Sequence, residues 1–539
     1  MRSPLRFLTF LLLGLGLGYA RPAAASHAQG GSLTYTSLGG NSYRVRVDFF
    51  RDCSGIPAPT SLALDCRTTC NGTAVTATLN SVGQPFIGTP YSSAIQPLAV
   101  CPLGGSAPQN APANFAAHRY EGTVTLVPNQ WVLSVEETAR PSAANLLVGG
   151  SGTLRLEATL DNRTRTNNSA TFSNLPVFFV PKAQQNLLHI GAFDADGDSL
   201  SYALVQPLGG CGVHEAYAQY PVQYQSAYLS TTPSCYLVCP FANPATYSAR
   251  LPMAVKFDTV GSCPLKRAVP RFAFDSLSGA FAFTPNRYAN TPSSQGDNKY
   301  VVVVRVTEWR KVGATYVRVG TVRRDMFWIV YDGANAALPR LAPTVSVQNG
   351  TQTTAQALGT PVAVRVGEPI SVVFSATSTL TNTPLVFTLE QNAVPGATIQ
   401  NGPLAGTGHL TFTPPPGLPD GVYRVSLTVT DDASPLRNIV TVPVAFRVYS
   451  WVLARRTAAA LLVPAYPNPF TERVQFQLAQ AGVQALTVCD PLGRVVAHLR
   501  SQATGQVQWQ PGADVPAGLY LARTADGRQT VRLVRSGAQ

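Results

Sequence analysis

The chain has 539 residues, of which only 12% are charged, with 44 Gly and 43 Pro distributed throughout. That length exceeds one core and predicts about three to five domains, and the Gly and Pro content excludes a protein built on long helices. The formal net charge is +13. Nearly all of it is arginine spread along strand-like runs, with no recognition helix or basic patch, which excludes a nucleic-acid module and reads as a general solubilising cation, with attraction to acidic glycans or a negative cell envelope as the alternative.

At the start, Arg2 and Arg6 precede the apolar run FLTFLLLGLGLG, and Ala23 and Ala25 occupy small-residue positions. Residues 1–25 therefore predict a secretory signal peptide cut after Ala25. No later run reaches the roughly 18 apolar residues of a membrane span. Export places the cysteines in an oxidising compartment. Cys53, Cys66, Cys70 and Cys101 form one group, and Cys211, Cys235, Cys239 and Cys263 another. Both groups contain C-x3-C but lack the His pairs of a zinc site, so two disulfides within each group are expected, with the pairing open. Cys489, in the alternating run ALTVCDPLG, is expected to be a buried free thiol.

From Ser32 the pattern is β. SLTYTSLGGNSYRVRVDFF reads as two strands around Gly39-Gly40-Asn41, with Tyr43, Val45, Val47 and Phe49 on one face and Arg44, Arg46 and Asp48 on the other. Similar runs follow as far as NSATFSNLP, so residues 26–175 form a first disulfide-bearing β domain of sandwich size. A second domain is expected over 176–340 and a third over 341–450, and these two share a frame. DSLSYAL at Asp198–Leu204 matches TPLVFTL at Thr383–Leu389, and GAFAFTP at Gly279–Pro285 matches GHLTFTP at Gly408–Pro414. KYVVVVRVTE at Lys299–Glu308 matches VYRVSLTVTD at Val422–Asp431, with Tyr300 on Tyr423 and Thr307 on Thr430. Three matches in one order indicate an internal repeat.

D-x-D-G-D-x-L-x-Y-x-L, then G-x-F-x-F-T-P, then a Tyr-led valine strand resembles the cadherin-like and polycystic-kidney-disease-type immunoglobulin modules of secreted bacterial proteins, over about residues 176–450. The resemblance implies antiparallel Greek-key sandwiches used for spacing and adhesion. The second copy carries an insertion over about 205–278 that holds all four of its cysteines. Within it Tyr217, Tyr220, Tyr224 and Tyr228 are candidate ligand contacts, since tyrosines offer rigid faces with a polar tip for sugars or protein surfaces. Packing against each other under a cross-linked flap is the alternative.

The stretch GAFDADGDSLSYAL sets Asp194, Asp196 and Asp198 within five residues. Calcium takes about six to eight oxygen ligands, which clustered carboxylates supply in part. The loop is not an EF-hand, because Gly197 comes too early and Val205 holds the place of the closing glutamate. The cadherin-like resemblance implies calcium there, with Glu308 at the strand end as a fourth ligand. In the third domain the same place reads SATSTLTNTPL, with Ser378, Leu380 and Asn382 or its neighbour for the acids. The fold itself therefore does not require them, and the alternative to calcium is a solvated Asp-Gly turn.

After an arginine-alanine linker over 451–462, the residues 463–539 read as a compact β module. Val474, Phe476 and Leu478 alternate inward, and DPLG at Asp490–Gly493 and ADG at Ala525–Gly527 form hairpin turns. YPNPF (Tyr466, Pro467, Asn468, Pro469, Phe470), D-x-L-G-R (Asp490, Gly493, Arg494) and AGLY-x-x-R (Gly518, Leu519, Tyr520) resemble the type A C-terminal sorting domain of the bacterial type IX secretion system. That resemblance implies an address read at the outer membrane and removed by a sortase-like peptidase. The cargo is then released or coupled to lipopolysaccharide.

No G-x-S-x-G elbow or phosphate-binding G-x-x-x-x-G-K-[ST] loop occurs, and His214-Glu215 lacks a second His, since Ala218 holds its position. The whole reads as an all-β, tandem antiparallel β-sandwich protein, secreted or on the cell surface. Surface glycans or proteins are the expected partners, with calcium as the one expected cofactor. A secreted hydrolase of glycans or proteins carrying the same tail is the alternative.

Overall fold

The computed structural model describes residues 28–52, 57–83, 115–147, 152–172, 179–221, 226–239, 246–291, 296–333, 337–380, 383–389, 394–402, 404–433, 436–450, 461–462, 464–491, 493–525 and 529–537. The expected leader, Cys53, Cys101, Tyr224 and most of the linker lie outside them. The chain divides into two compact units, Met1–Ser450 and Trp451–Gln539. Among the described residues, regular structure is strand only, and no helix is long and apolar enough to cross a membrane.

The N-terminal stretch supplies β1 (Ala28–Gly39), β2 (Ser42–Asp52), β3 (Ser61–Arg67), β4 (Ala74–Ser81), β5 (Phe115–Thr125), β6 (Gln130–Arg140) and β7 (Gly152–Asp161). The β1–β2 hairpin forms as the alternation predicts. Tyr43, Val45, Val47 and Phe49 are buried, and Gly39, Gly40 and Asn41 take the positive φ that the tight turn requires. The next stretch supplies β8 (Phe179–Pro181), β9 (Asn186–His189), β10 (Ser199–Val205), β11 (Ala280–Phe283), β12 (Lys299–Val312) and β13 (Thr315–Tyr331). Neighbours in the large sheet run β1-β2-β5-β4-β3-β6-β7-β13-β12-β10, and β8 adds to β13.

The boundary expected at residue 176 does not separate hydrogen-bonded bodies. β13 pairs with β7 through Gly320↔Leu160 and with β1 through Gly31↔Asp325, so the first seven strands close into a ring only through a strand of the following region. Two open edges would otherwise offer unpaired backbone groups, and the long β13 covers both. Gly30 permits the crossing, because a Cβ there would collide with the Asp325 carbonyl. Val322 of β13 completes the core around Leu33, Tyr35, Trp131 and Leu156. The junction is fixed further by a buried bidentate pair, Arg140 to Asp325 at 2.9 and 2.8 Å.

The third stretch contains β14 (Ile370–Thr377), β15 (Val386–Leu389), β16 (Thr407–Phe412), β17 (Gly421–Thr430) and β18 (Ile439–Tyr449). Two sheets, one holding β14 and β16 and the other β15, β17 and β18, enclose Phe374, Phe387, Leu410 and Phe446. Here the internal repeat is visible as topology. β10 pairs with β12 and β12 with β13, as β15 pairs with β17 and β17 with β18. The register is the same in both copies: Ser201↔Thr307 and Tyr202↔Val306 correspond to Val386↔Thr430 and Phe387↔Val429.

In the C-terminal unit, a five-stranded and a three-stranded sheet enclose Phe470, Val474, Phe476, Leu478, Trp509 and Tyr520. Leu461–Leu462, placed in the linker by sequence, is a short strand of this unit, parallel to Gln529–Arg535. The Asp490–Gly493 turn joins an antiparallel pair, as expected.

Candidate functional site

The aspartate loop sits where β10 begins, beside the end of β12. Asp194 turns the loop: its Oδ1 accepts the backbone N–H groups of Asp196 at 2.9 Å and Asp198 at 3.0 Å. Ligand atoms of Asp194, Asp196 and Asp198 lie within 4.8 Å of one another. Sequence reasoning missed the residue that answers this charge, Arg310. Its Nε and Nη2 donate to the two oxygens of Asp198 at 2.8 and 2.7 Å, and Nη2 also donates to Asp196 at 2.6 Å. The remaining guanidinium bonds reach the Thr166 carbonyl and Asn167 Oδ1, both at 2.8 Å.

Glu308 is fully buried two residues earlier on the same strand. Its oxygens accept from the Ala170 N–H at 2.8 Å and Asn167 Nδ2 at 2.6 Å. Asp196 also accepts from the backbone and side-chain nitrogens of Asn168. Burial drives the Asp194 carboxyl up to about 7 and that of Glu308 up to about 8, with the neighbouring carboxylates adding to both.

These donors decide how the cluster fits calcium. Every carboxylate oxygen of Asp194, Asp196, Asp198 and Glu308 accepts from a protein N–H donor, except Asp194 Oδ2, which is buried without a partner. Calcium takes about six to eight oxygens, and this set leaves one. The arrangement fits a resident guanidinium as its cation and does not fit a calcium ion.

Tyr217, Tyr220 and Tyr228, the three of these tyrosines among the described residues, do not share a surface. Tyr220 is a core residue whose hydroxyl accepts from the Val255 N–H at 3.2 Å, and its ring lies 4.8 Å from that of Tyr247. Tyr217 is half-buried, and burial raises its hydroxyl pKa. Tyr228 is exposed and meets Tyr236 edge-on. The insertion is thus largely self-packed, because its rings finish the core beneath β12 and β13.

The cysteines correct the expected grouping. Cys70 bonds Cys211, from the other group, and Cys235 bonds Cys263. Cys66 and Cys239 are buried free thiols. Cys66 points inward from β3 into the apolar core, where burial pushes its thiol up to about 12. Cys489 is free and half-buried rather than buried.

Another buried group fastens the repeat copies together. His189 Nδ1 meets Ser426 Oγ at 2.7 Å and Nε2 meets the Ser278 carbonyl at 2.9 Å. Burial lowers its pKa to about 4, so the ring is neutral.

In the C-terminal unit the motif residues divide into two sets. Asn468 receives Val534 N–H and donates to the Arg532 carbonyl, both at 2.7 Å. Phe470 is buried against Trp509, and Tyr520 donates to the Pro516 carbonyl at 2.6 Å. Arg494 closes the turn on Asp490 at 2.7 Å, and Gly493 there has φ 83°. These residues hold the fold, although Asn468, Gly493 and Arg494 are exposed, as are Tyr466, Pro467, Pro469, Gly518 and Leu519.

No family model matches the chain, and no curated relative matches it. Similar solved structures are tandem Ig repeats of Dlar (15% identity, 37% of this chain and 99% of that one, TM-score 0.13) and an I-band fragment from titin (7%, 69% and 97%, 0.16). A protocadherin gammaB7 EC3-6 cis-dimer structure is similar at 14% identity, covering 58% and 74%, with TM-score 0.17. Scores this low carry no weight, and the all-β assignment rests on the strands themselves.

Proposed function

We propose that this chain is an exported, extracellular or cell-surface protein without enzymatic activity, whose joined β modules act as a spacer and binding scaffold. Its C-terminal unit, on this reading, is the type IX secretion address, read by the export machinery and removed by a sortase-like peptidase. One observation carries the proposal: residues Trp451–Gln539 form a compact unit of their own. Phe470 and Tyr520 of the motif in that unit are buried and secure the fold, and most of the motif stands exposed for recognition. The scaffold role is supported by how the displaced ionisable groups are used. Asp194, Glu308 and His189 are all buried in framework hydrogen bonds rather than held at an open nucleophile.

The test is a fusion of residues 463–539 to an inert secreted reporter in a host with the type IX system. The reporter should reach the medium or the outer surface with the tail removed, and Tyr466→Ala together with Leu519→Asp should lower that yield without unfolding the unit. A reporter retained in the periplasm with an intact tail would overturn the address.

A further inference from the structure

Beside the aspartate loop, the tip of the β12–β13 hairpin faces the start of β17 across a cleft of about 440 Å³. That size falls in the range of small-molecule sites, roughly 300–1,000 Å³. On the hairpin side stand Trp309, Lys311 and Tyr316, with Lys311 directly opposite Tyr316 in register. The indole is held in place, because its N–H donates to Ser201 Oγ at 2.8 Å. Tyr316 is 55% exposed although it is a large aromatic at a hairpin tip. Asp420 and Arg424 stand on the other side.

The cleft's charges are incompletely used. Asp196 and Asp198 are neutralised by Arg310, and Asp420 accepts the Ser450 N–H. Neither Lys311 nor Arg424 forms a side-chain hydrogen bond or ion pair among the described residues, although Arg424 lies close enough to Asp275 to lower its pKa. At the cleft's inner end, the buried Asp194 Oδ2 lacks a donor. Two cations without a side-chain partner among the described residues and two aromatic rings therefore line one opening.

We propose that this cleft binds an acidic oligosaccharide. A sugar ring has a C–H face that stacks on an aromatic plate and an edge of hydroxyls that donate and accept. Trp309 and Tyr316 supply the plates. A ring carboxylate pairs with Lys311 and Arg424. An acidic peptide matches the cations but makes no comparable use of the exposed Tyr316 ring and the half-buried indole beside it. The site goes beyond the spacer reading and stands apart from export, since the reporter fusion above lacks the cleft altogether.

Calorimetric titration of the full mature chain with tetragalacturonate tests it, with cellotetraose as the neutral control and tetraglutamate as the acidic peptide. Tetragalacturonate should bind saturably and more tightly than either control. Tyr316→Ala, at an exposed position that the fold does not use, should weaken it about tenfold or more, and Lys311→Gln with Arg424→Gln should abolish the preference over cellotetraose. Unchanged melting temperatures would confirm that the variants are folded. The proposal is overturned by an absence of saturable heat, by tetraglutamate binding as well as the sugar, or by a Tyr316→Ala variant that binds like the parent.

Discussion

The two repeat copies solve the same corner differently. In each, the residue that opens the loop accepts the N–H two positions on: Asp194 from Asp196, and Ser378 from Leu380. In each, a buried acid follows the matched threonine of the Tyr-led strand: Glu308 after Thr307, within β12, and Asp431 after Thr430, just past β17. A serine hydroxyl can donate as well as accept, so Ser378 binds Asp431 Oδ2 directly at 2.8 Å. Asp194 has no proton to offer when ionised, so burial raises its pKa and that of Glu308, and an arginine neutralises the acids that follow. In the matched frame Arg310 falls on Ala433. Where the loop acids are gone, the guanidinium is gone too. Acids and arginine are thus one device, added to a corner that the fold can build without them.

The largest expected effect comes from removing the cation. Arg310→Met leaves Asp198 buried and uncompensated, and breaking such a pair costs about 3–5 kcal/mol. Chemical denaturation should show that loss; a change below about 1 kcal/mol would mean that the loop acids are neutralised by something else.

A second prediction uses pH. Burial holds Asp194 and Glu308 above their ordinary values, to about 7 and about 8, with Asp198 facing both and Asn167 and Tyr35 beside Glu308. Native carboxyls then keep protons that the unfolded chain has released. Their contribution is complete below about pH 4 and is lost as the pH rises through about 7 to 8. The melting temperature should fall over that upper window, and Glu308→Gln should flatten the fall. Equal slopes in parent and variant would contradict the assignment. The smallest effect belongs to the simpler corner. Ser378→Ala removes the bond to Asp431, which keeps Asn438 Nδ2 at 3.3 Å, and the bond from the Leu380 N–H, and should cost about 1–2 kcal/mol with no new pH dependence between 6 and 8.

Much of this fold was legible because it is local. Alternation fixed the faces of β2, and the motif matches of the repeat anticipated the shared register of β10 on β12 and β15 on β17. The C-terminal core of Val474, Phe476 and Leu478 was legible for the same reason. What escaped were partnerships across distance. Nothing in β1 announces that its other edge is taken by β13, since Gly31 and Asp325 share no motif. The Cys70–Cys211 bond was hidden because spacing groups cysteines by sequence while the ring closure brings distant ones together. The tyrosines left two readings open, because an aromatic run looks the same whether it finishes a core or lines a surface. Arg310 was within reach: extending the repeat comparison two residues past Glu308 sets it against Ala433.

The most direct test is the melting temperature of the full mature chain in millimolar calcium and in excess chelator. A ligand of the native state raises that temperature. With Arg310 already seated among the aspartates, the two curves should coincide. A clear rise in calcium, abolished by Asp198→Asn, would show that the ion displaces the arginine and would contradict the account of the corner.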